Sequence, residues 1–196
     1  MINKEVCKLE ITIHSLDIEN YAEWDNYVTQ QVQGTIYHLS SWKGLLESSF
    51  GHQCFYYYAL NEKGNICGIL PSINLKSMLF GNFIVSMPFF NYGGVLADND
   101  EIAAKLNNFL QEQAEKYKVS HIQYREQVER TVNLLPVSKD KVNMILTLPD
   151  TQEALGKSIG SKRRSQIKRP IREGVEHKIG SIELLDDFYR VFCVNM

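Results

Sequence analysis

Cysteine is scarce: four in 196 residues, at Cys7, Cys54, Cys67 and Cys193, with no C-x-x-C pair. That scarcity excludes a disulfide-stapled scaffold and a cysteine-based zinc site, and it leaves these residues as reduced packing side chains. The opening segment, MINKEVCKLEITIHS, has no long apolar core and no cleavage pattern, so it is not read as a secretory signal. No apolar run is long enough to cross a bilayer, so no transmembrane segment is expected and the chain reads as cytoplasmic. His14, His38, His52, His121 and His177 show no metal-ligand spacing, so each reads as a satisfied or surface histidine and no metal is expected. Neither a Ser-His-Asp nor a Cys-His arrangement can be argued. Net charge is also missing: 21 Lys and Arg against 23 Asp and Glu give −2, which by itself points to neither nucleic acid nor membrane.

What is present is an ordinary globular composition, 44% hydrophobic and 22% charged, long enough to bury a core. The charge is unevenly spread. Residues 1–150 carry 12 basic and 17 acidic side chains, whereas residues 151–196 carry 9 and 6. We therefore expect two parts, a domain over 1–150 and a basic helical segment with the start of a further domain over 151–196.

Periodicity predicts a strand over 8–14, a helix from Asp17 to about Gln31, and a second helix capped by Ser40 or Ser41 and stopped by Gly51. The aromatic run QCFYYYAL (53–60), the turn NEKGN and the run 66–77 predict a hairpin, with Pro71 marking an edge or a bulge. A third strand follows over 80–89, then a glycine-bearing loop and a helix over 100–117 capped by Asp98 or Asn99. Strands are expected over 119–125 and 142–148. Asp150 and Glu153 read as a capping box for a short helix that Gly160 breaks. A basic helix, a strand over 179–185 and a last helix complete the order. The fold class is α/β (α+β): a mixed, mostly antiparallel sheet flanked by helices, in the element order of GNAT-type acyltransferase domains. This is an analogy of topology.

Three features stand out. Lys157, Lys162, Arg163, Arg164, Lys168, Arg169 and Arg172 form a stretch with no acid, and on a helix Arg164, Lys168 and Arg172 share one face. A solvated face or linker, a site for a phosphate or carboxylate, and a nucleic-acid contact all remain open for it. Pro170 predicts a kink there. N-Y-G-G at 91–94 lets backbone approach a ligand, or makes a tight turn; it matches neither a dinucleotide fingerprint nor a P-loop. Nor does it match the Q/R-x-x-G-x-G/A run of ordinary GNAT enzymes. In H-L-S-S-W-K-G at 38–44, Trp42 and Lys43 offer an indole platform beside a cation, or a core tryptophan beside a solvated lysine. Arg125, at a predicted strand end next to Glu126, is a further candidate, since ligands often sit at strand ends of open sheets.

Y-H-L-S-S-W (37–42), F-G-H (50–52), G-I-L-P (68–71), K-S-M-L-F-G (76–81), S-M-P-F-F-N-Y-G-G-V-L-A-D (86–98) and K-R-R-S-Q-I-K-R-P-I-R-E-G (162–174), read in order, resemble the FemAB-like family. The branch is the one associated with exosortase, PEP-CTERM and exopolysaccharide systems, and the likeness spans roughly residues 20 to 196. The resemblance implies two GNAT-like domains in tandem, the first holding a nucleotide-linked or envelope-precursor small molecule. It implies no tightly bound cofactor, an acyl donor as co-substrate (aminoacyl-tRNA or acyl-CoA), and tRNA as a partner where the donor is aminoacyl-tRNA. It implies no covalent nucleophile, and Trp42, Lys43, Tyr92, Gly93, Gly94, Arg125, Lys162, Arg164 and Arg169 lining an acceptor groove. Family members run well beyond this length, so the second domain is expected to be incomplete here and this stretch alone inactive. A non-catalytic module binding a nucleotide-sugar or RNA through the basic helix, and an acetyl-CoA-dependent N-acyltransferase, are the alternatives.

Overall fold

The computed structural model describes residues 10–126, 136–138 and 143–196. Its contacts divide the chain into two units, Met1–Lys141 and Val142–Met196.

The first unit is built on a six-stranded sheet. Strands β1 (Thr12–Ser15), β2 (Gln53–Leu60), β3 (Ile66–Ser77) and β4 (Gly81–Val85) are antiparallel neighbours in chain order. Strand β6 (Ile122–Gln123) adds to β4 in parallel, and the two-residue β5 (Leu96–Ala97) pairs with β3 alongside Gly68 and Ile69. The architecture is the mixed, mostly antiparallel α/β sheet flanked by helices that the patterning suggests. Helices α1 (Tyr21–Gln30) and α2 (Ser41–Phe50) precede β2, and α3 (Asp100–Lys116) precedes β6.

The aromatic run of β2 is apolar throughout because both its faces are covered. Phe55, Tyr57 and Ala59 pack with Ile102, Leu106 and Leu110 of α3, while Tyr56 and Tyr58 pack with Trp24, Val28 and Leu46 of α1 and α2. The β2–β3 turn is closed by the Asn61 side chain, which accepts from the backbone N–H groups of Lys63 (3.0 Å) and Asn65 (3.1 Å). Asn99 caps α3 by accepting from the Ile102 N–H, 3.0 Å away.

Several expectations need correction. Pro71 is buried in a central strand, with no bulge at it; the register shifts at Ala59/Leu60 instead. Its missing N–H is tolerated because the Tyr56 carbonyl, opposite Pro71, bonds to Leu16 on the far side, so this pair is not a hydrogen-bonded one. On the other side of β3, position 71 falls in the gap between the β5 and β4 pairings. Ser40 gives α2 no side-chain cap; its hydroxyl and N–H both bond Asp25 on α1, at 3.0 and 2.7 Å. Gly51 ends α2 in the left-handed region, at φ 66°.

In the second unit α4 spans Gln152–Ser158, α5 Gly160–Arg172 and α6 Leu185–Asn195. Thr151, not Asp150, caps α4, accepting from Ala154 N–H at 3.2 Å. The expected strand over 142–148 is absent at its described residues, 143–148. Met144, Ile145, Leu146 and Leu148 are all exposed, and an apolar run with no neighbouring strand among the described residues gains nothing from extension. The expected strand over 179–185 is instead a 3-10 turn, Ile182–Leu184, entered where the Glu183 carboxylate accepts from Ser181 N–H at 2.8 Å. The α5 helix runs through Pro170 to Arg172. The first residues of the expected strand 8–14, and Cys7, lie outside the described residues. No helix among those described is long and apolar enough to cross a membrane.

Candidate functional site

Parallel pairing brings the carboxyl ends of β4 and β6 side by side, with Val85 opposite Gln123. Beyond them the loop 86–95 and the segment 124–126 are laced together. Ser86 N–H donates to the Gln123 carbonyl (3.0 Å), Arg125 N–H to Ser86 Oγ (2.8 Å), and Gly93 N–H to the Arg125 carbonyl (3.1 Å). Arg125 Nη1 donates to the Phe90 carbonyl at 2.6 Å, and Val95 N–H to Glu126 Oε1 at 3.1 Å. A loop this close to the core must find partners for its backbone polar groups, and this one finds them in the adjoining strand end.

The loop is also strained. Met87 (φ 55°) and Phe89 (φ 73°) occupy the left-handed region on either side of Pro88, a conformation costing roughly 1–3 kcal/mol per residue. Packing holds it: Met87 is fully buried, and its sulfur accepts from the Tyr56 hydroxyl at 3.3 Å. Gly93 has φ 154°, and a Cβ there would meet Met87 Cγ at 2.5 Å. A Cβ on Gly94 would overlap the Glu126 carboxylate. The paired glycines therefore serve close approach twice, to a core side chain and to a carboxylate. Gly93→Ala is expected to lower stability by about 1–3 kcal/mol, read as a lower urea midpoint at unchanged slope, and no loss would contradict the packed loop.

Aromatic rings line the approach. Tyr37 stacks on Phe90 with centroids 4.7 Å apart and meets Tyr92 edge-on at 5.2 Å; Trp42 meets Phe90 at 4.6 Å. The Trp42 indole N–H is already used, donating to the Ile36 carbonyl at 2.6 Å. Lys43 is paired with Glu47 at 2.9 Å on the next turn of α2. Burial works against its charge, and Glu47 outweighs that effect, so its pKa is raised. Lys43 is thus a paired side chain, not a free cation beside an indole.

Two groups that the sequence offers only as a satisfied or surface histidine and as the neighbour of Arg125 also meet at Gly94. His38 is buried, its Nδ1 2.9 Å from Thr35 Oγ1, its ring bonded to the Gly94 backbone, and its carbonyl accepting from Trp24 Nε1 at 2.6 Å. Burial drives its pKa down to about 4, so it stands neutral at pH 7. The Thr35–His38 spacing of a capping box was the available signal. Glu126 and His38 line one small hollow with Gln33, Gly94, Val95 and Leu96. Arg125 is half-buried, and desolvation lowers its pKa.

Trp42, Tyr92, Gly93, Gly94 and Arg125 thus gather at one end of the sheet. Lys162, Arg164 and Arg169 lie on α5 in the second unit. There Arg164 Nη1 donates to the Gly156 carbonyl (2.8 Å) at the end of α4, and Arg169 pairs with Glu173 at 2.7 Å. Arg164, Lys168 and Arg172 share a face with Ser161, Ser165 and Ile171. Among the described residues no group of three or more His, Cys, Asp or Glu is arranged to hold a metal. Burial pushes the Cys54 thiol up to about 12 and raises that of Cys67, so neither supplies a thiolate.

No protein-family model matches the chain. No curated protein matches it. Among solved structures it is similar to a GNAT-family acetyltransferase of Staphylococcus aureus Mu50, at 14% identity and TM-score 0.42, over 58% of this chain and 71% of that one. It is also similar to a ribosomal-protein-alanine N-acetyltransferase of Brucella melitensis biovar Abortus 2308, at 14% identity and TM-score 0.47. A transcriptional regulator of Bacillus halodurans C-125 matches at 14% identity and TM-score 0.48; both matches cover 71% of this chain and 100% of the other.

Proposed function

We propose that the first unit binds the acceptor of an acyl transfer, an anionic, nucleotide-linked precursor of the cell envelope in the cytoplasm. The acceptor's amine attacks the carbonyl of an activated donor, an acyl-CoA or an aminoacyl-tRNA. A new amide bond forms, the thioester or ester bond breaks, and the thiol or tRNA hydroxyl leaves with the proton the amine gives up. No protein nucleophile is needed; the contribution is orientation.

The observation that carries this reading is the half-buried Arg125 at the end of β6, beside Tyr92, Gly93 and Gly94. A guanidinium has five donors, and one on Nη1 rests on the Phe90 carbonyl; among the described residues this leaves Nε and Nη2 for a phosphate or carboxylate. Carboxyl ends of parallel strands are where open sheets commonly hold ligands. The neutral imidazole of His38 and the Glu126 carboxylate are near enough to Gly94 to fix its backbone for that contact. Lys162, Arg164 and Arg169 enter this reading from the FemAB resemblance alone.

Calorimetric titration with a UDP-linked muropeptide tests it. Heat is expected from the full chain, with affinity falling about 10–100-fold in Arg125→Ala, the range for losing a hydrogen bond to a charged group. Absence of heat with the precursor would sink the acceptor role. Binding of acetyl-CoA instead would make the chain an acetyl-CoA-dependent enzyme.

A further inference from the structure

Two segments expose large apolar side chains, each in its own unit, the first beside Lys76 and the second among several basic residues. In the first, the β3–β4 hairpin turns through Met78, Leu79 and Phe80, which are 105%, 87% and 79% exposed. Hairpin tips ordinarily carry Gly, Asn, Asp or Ser, and three large apolar residues in water at such a position have no role in the fold. The turn itself is closed locally, by Leu79 N–H donating to Ser77 Oγ at 3.2 Å and by Gly81 at φ 86°. Lys76 flanks it, and the Asn82 amide donates to the carbonyls of Tyr117 and Lys118 (3.0 and 3.3 Å), bringing the end of α3, with Glu115 and Lys116, to the same edge. No acidic residue occurs between Glu62 and Asp98.

In the second unit, α5 exposes Ile167 and Ile171, followed by Val175, at four-residue spacing. At about 100° per residue the two isoleucines lie side by side, with Arg163 on one flank and Arg164, Lys168 and, farther round, Arg172 on the other. Among the described residues Lys162, Arg163, Lys168 and Arg172 have no ion pair, and no acid occurs from Ala154 to Arg172. A narrow apolar stripe edged by long basic side chains suits the boundary between lipid headgroups and acyl chains, where cationic ends reach the phosphates and aliphatic groups sink below.

We propose that the chain docks peripherally on an anionic lipid surface, and that the Met78–Phe80 tip and the α5 stripe are each a lipid contact in their own right. A lipid fits better than a nucleic acid. Methionine, leucine and isoleucine offer nothing to a sugar-phosphate chain, and α5 has no aromatic residue on which a base could stack. Lipid supplies both the anionic and the apolar partner.

Co-sedimentation of the full chain tests this, with vesicles of phosphatidylglycerol and phosphatidylcholine against phosphatidylcholine alone. Binding is expected to the anionic vesicles only and to weaken at ~1 M salt. Lys168→Glu with Arg172→Glu should weaken it by at least about fivefold per charge removed. Phe80→Trp and Ile171→Trp should each show a blue-shifted emission on vesicle addition, which a folding defect would not produce. Equal partition to neutral vesicles, or unshifted emission from either probe, would overturn the proposal. So would binding of poly-uridine RNA with no vesicle binding, which would assign α5 to nucleic acid instead.

Discussion

Trp24→Ala is expected to destabilise the first unit by about 3–5 kcal/mol, the range for truncating a buried aromatic side chain. Trp24 has no exposed surface. It stacks on Tyr56 with centroids 5.3 Å apart and packs in the cluster that joins α1 and α2 to the sheet. The loss has two parts. Removing the indole leaves a cavity against β2, and it strands the His38 carbonyl, which loses its 2.6 Å bond from Nε1. Trp24→Phe separates them, since it keeps most of the volume but not the N–H. That variant should lose about 1–3 kcal/mol. Urea unfolding of the three proteins checks both values. A loss below about 1 kcal/mol for alanine would mean that this face of the sheet is not closed as described. With total stabilities of about 5–15 kcal/mol, the alanine variant is expected near the limit of folding at 37 °C.

Local signals were legible where one element decides its own fate. The hairpin over β2 and β3 follows from two apolar runs around NEKGN, and α3 from its periodicity and Asn99. The two-residue β5 was not legible, because only its pairing with β3 makes it a strand. The segments around 145 and 182 differ from expectation for the converse reason: each has strand-like composition and, among the described residues, no edge to pair with.

The site was legible in part. The Tyr-Gly-Gly block, which reads as a ligand approach or a tight turn, and Arg125, which reads as a strand-end candidate, lie together beyond β4 and β6, where the glycines approach Met87 and the Glu126 carboxylate. Trp42 and Lys43 each find their own partner, the Ile36 carbonyl and Glu47, which the sequence pattern of a tryptophan beside a lysine does not reveal. His38 reads from the sequence as a satisfied or surface histidine and Glu126 only as the neighbour of Arg125; their meeting at Gly94 arises from contact, which chain proximity does not reveal.

That contact makes acid sensitivity the second large effect. The pKa of His38 is about 4 in the folded chain, against an ordinary 6.5. Between those values the unfolded state binds the proton and the folded state does not, so stability rises with pH. The contribution is complete above about pH 6.5 and is lost as pH falls towards 4, below which this group changes nothing further. The span is worth about 3 kcal/mol. Burial is the first cause, opposed by the bonds to the Gly94 and Thr35 backbones; the Glu126 carboxylate lines the same hollow. Urea midpoints measured from pH 7.5 down to about 4.5 should therefore fall steeply for the natural chain. His38→Gln should be less stable at neutral pH and show a flatter profile over the same interval. Carboxylates titrating near pH 4 affect both proteins alike, so the difference between the curves isolates the imidazole. Parallel curves would show that His38 takes up its proton without disturbing the Thr35–Gly94 clamp.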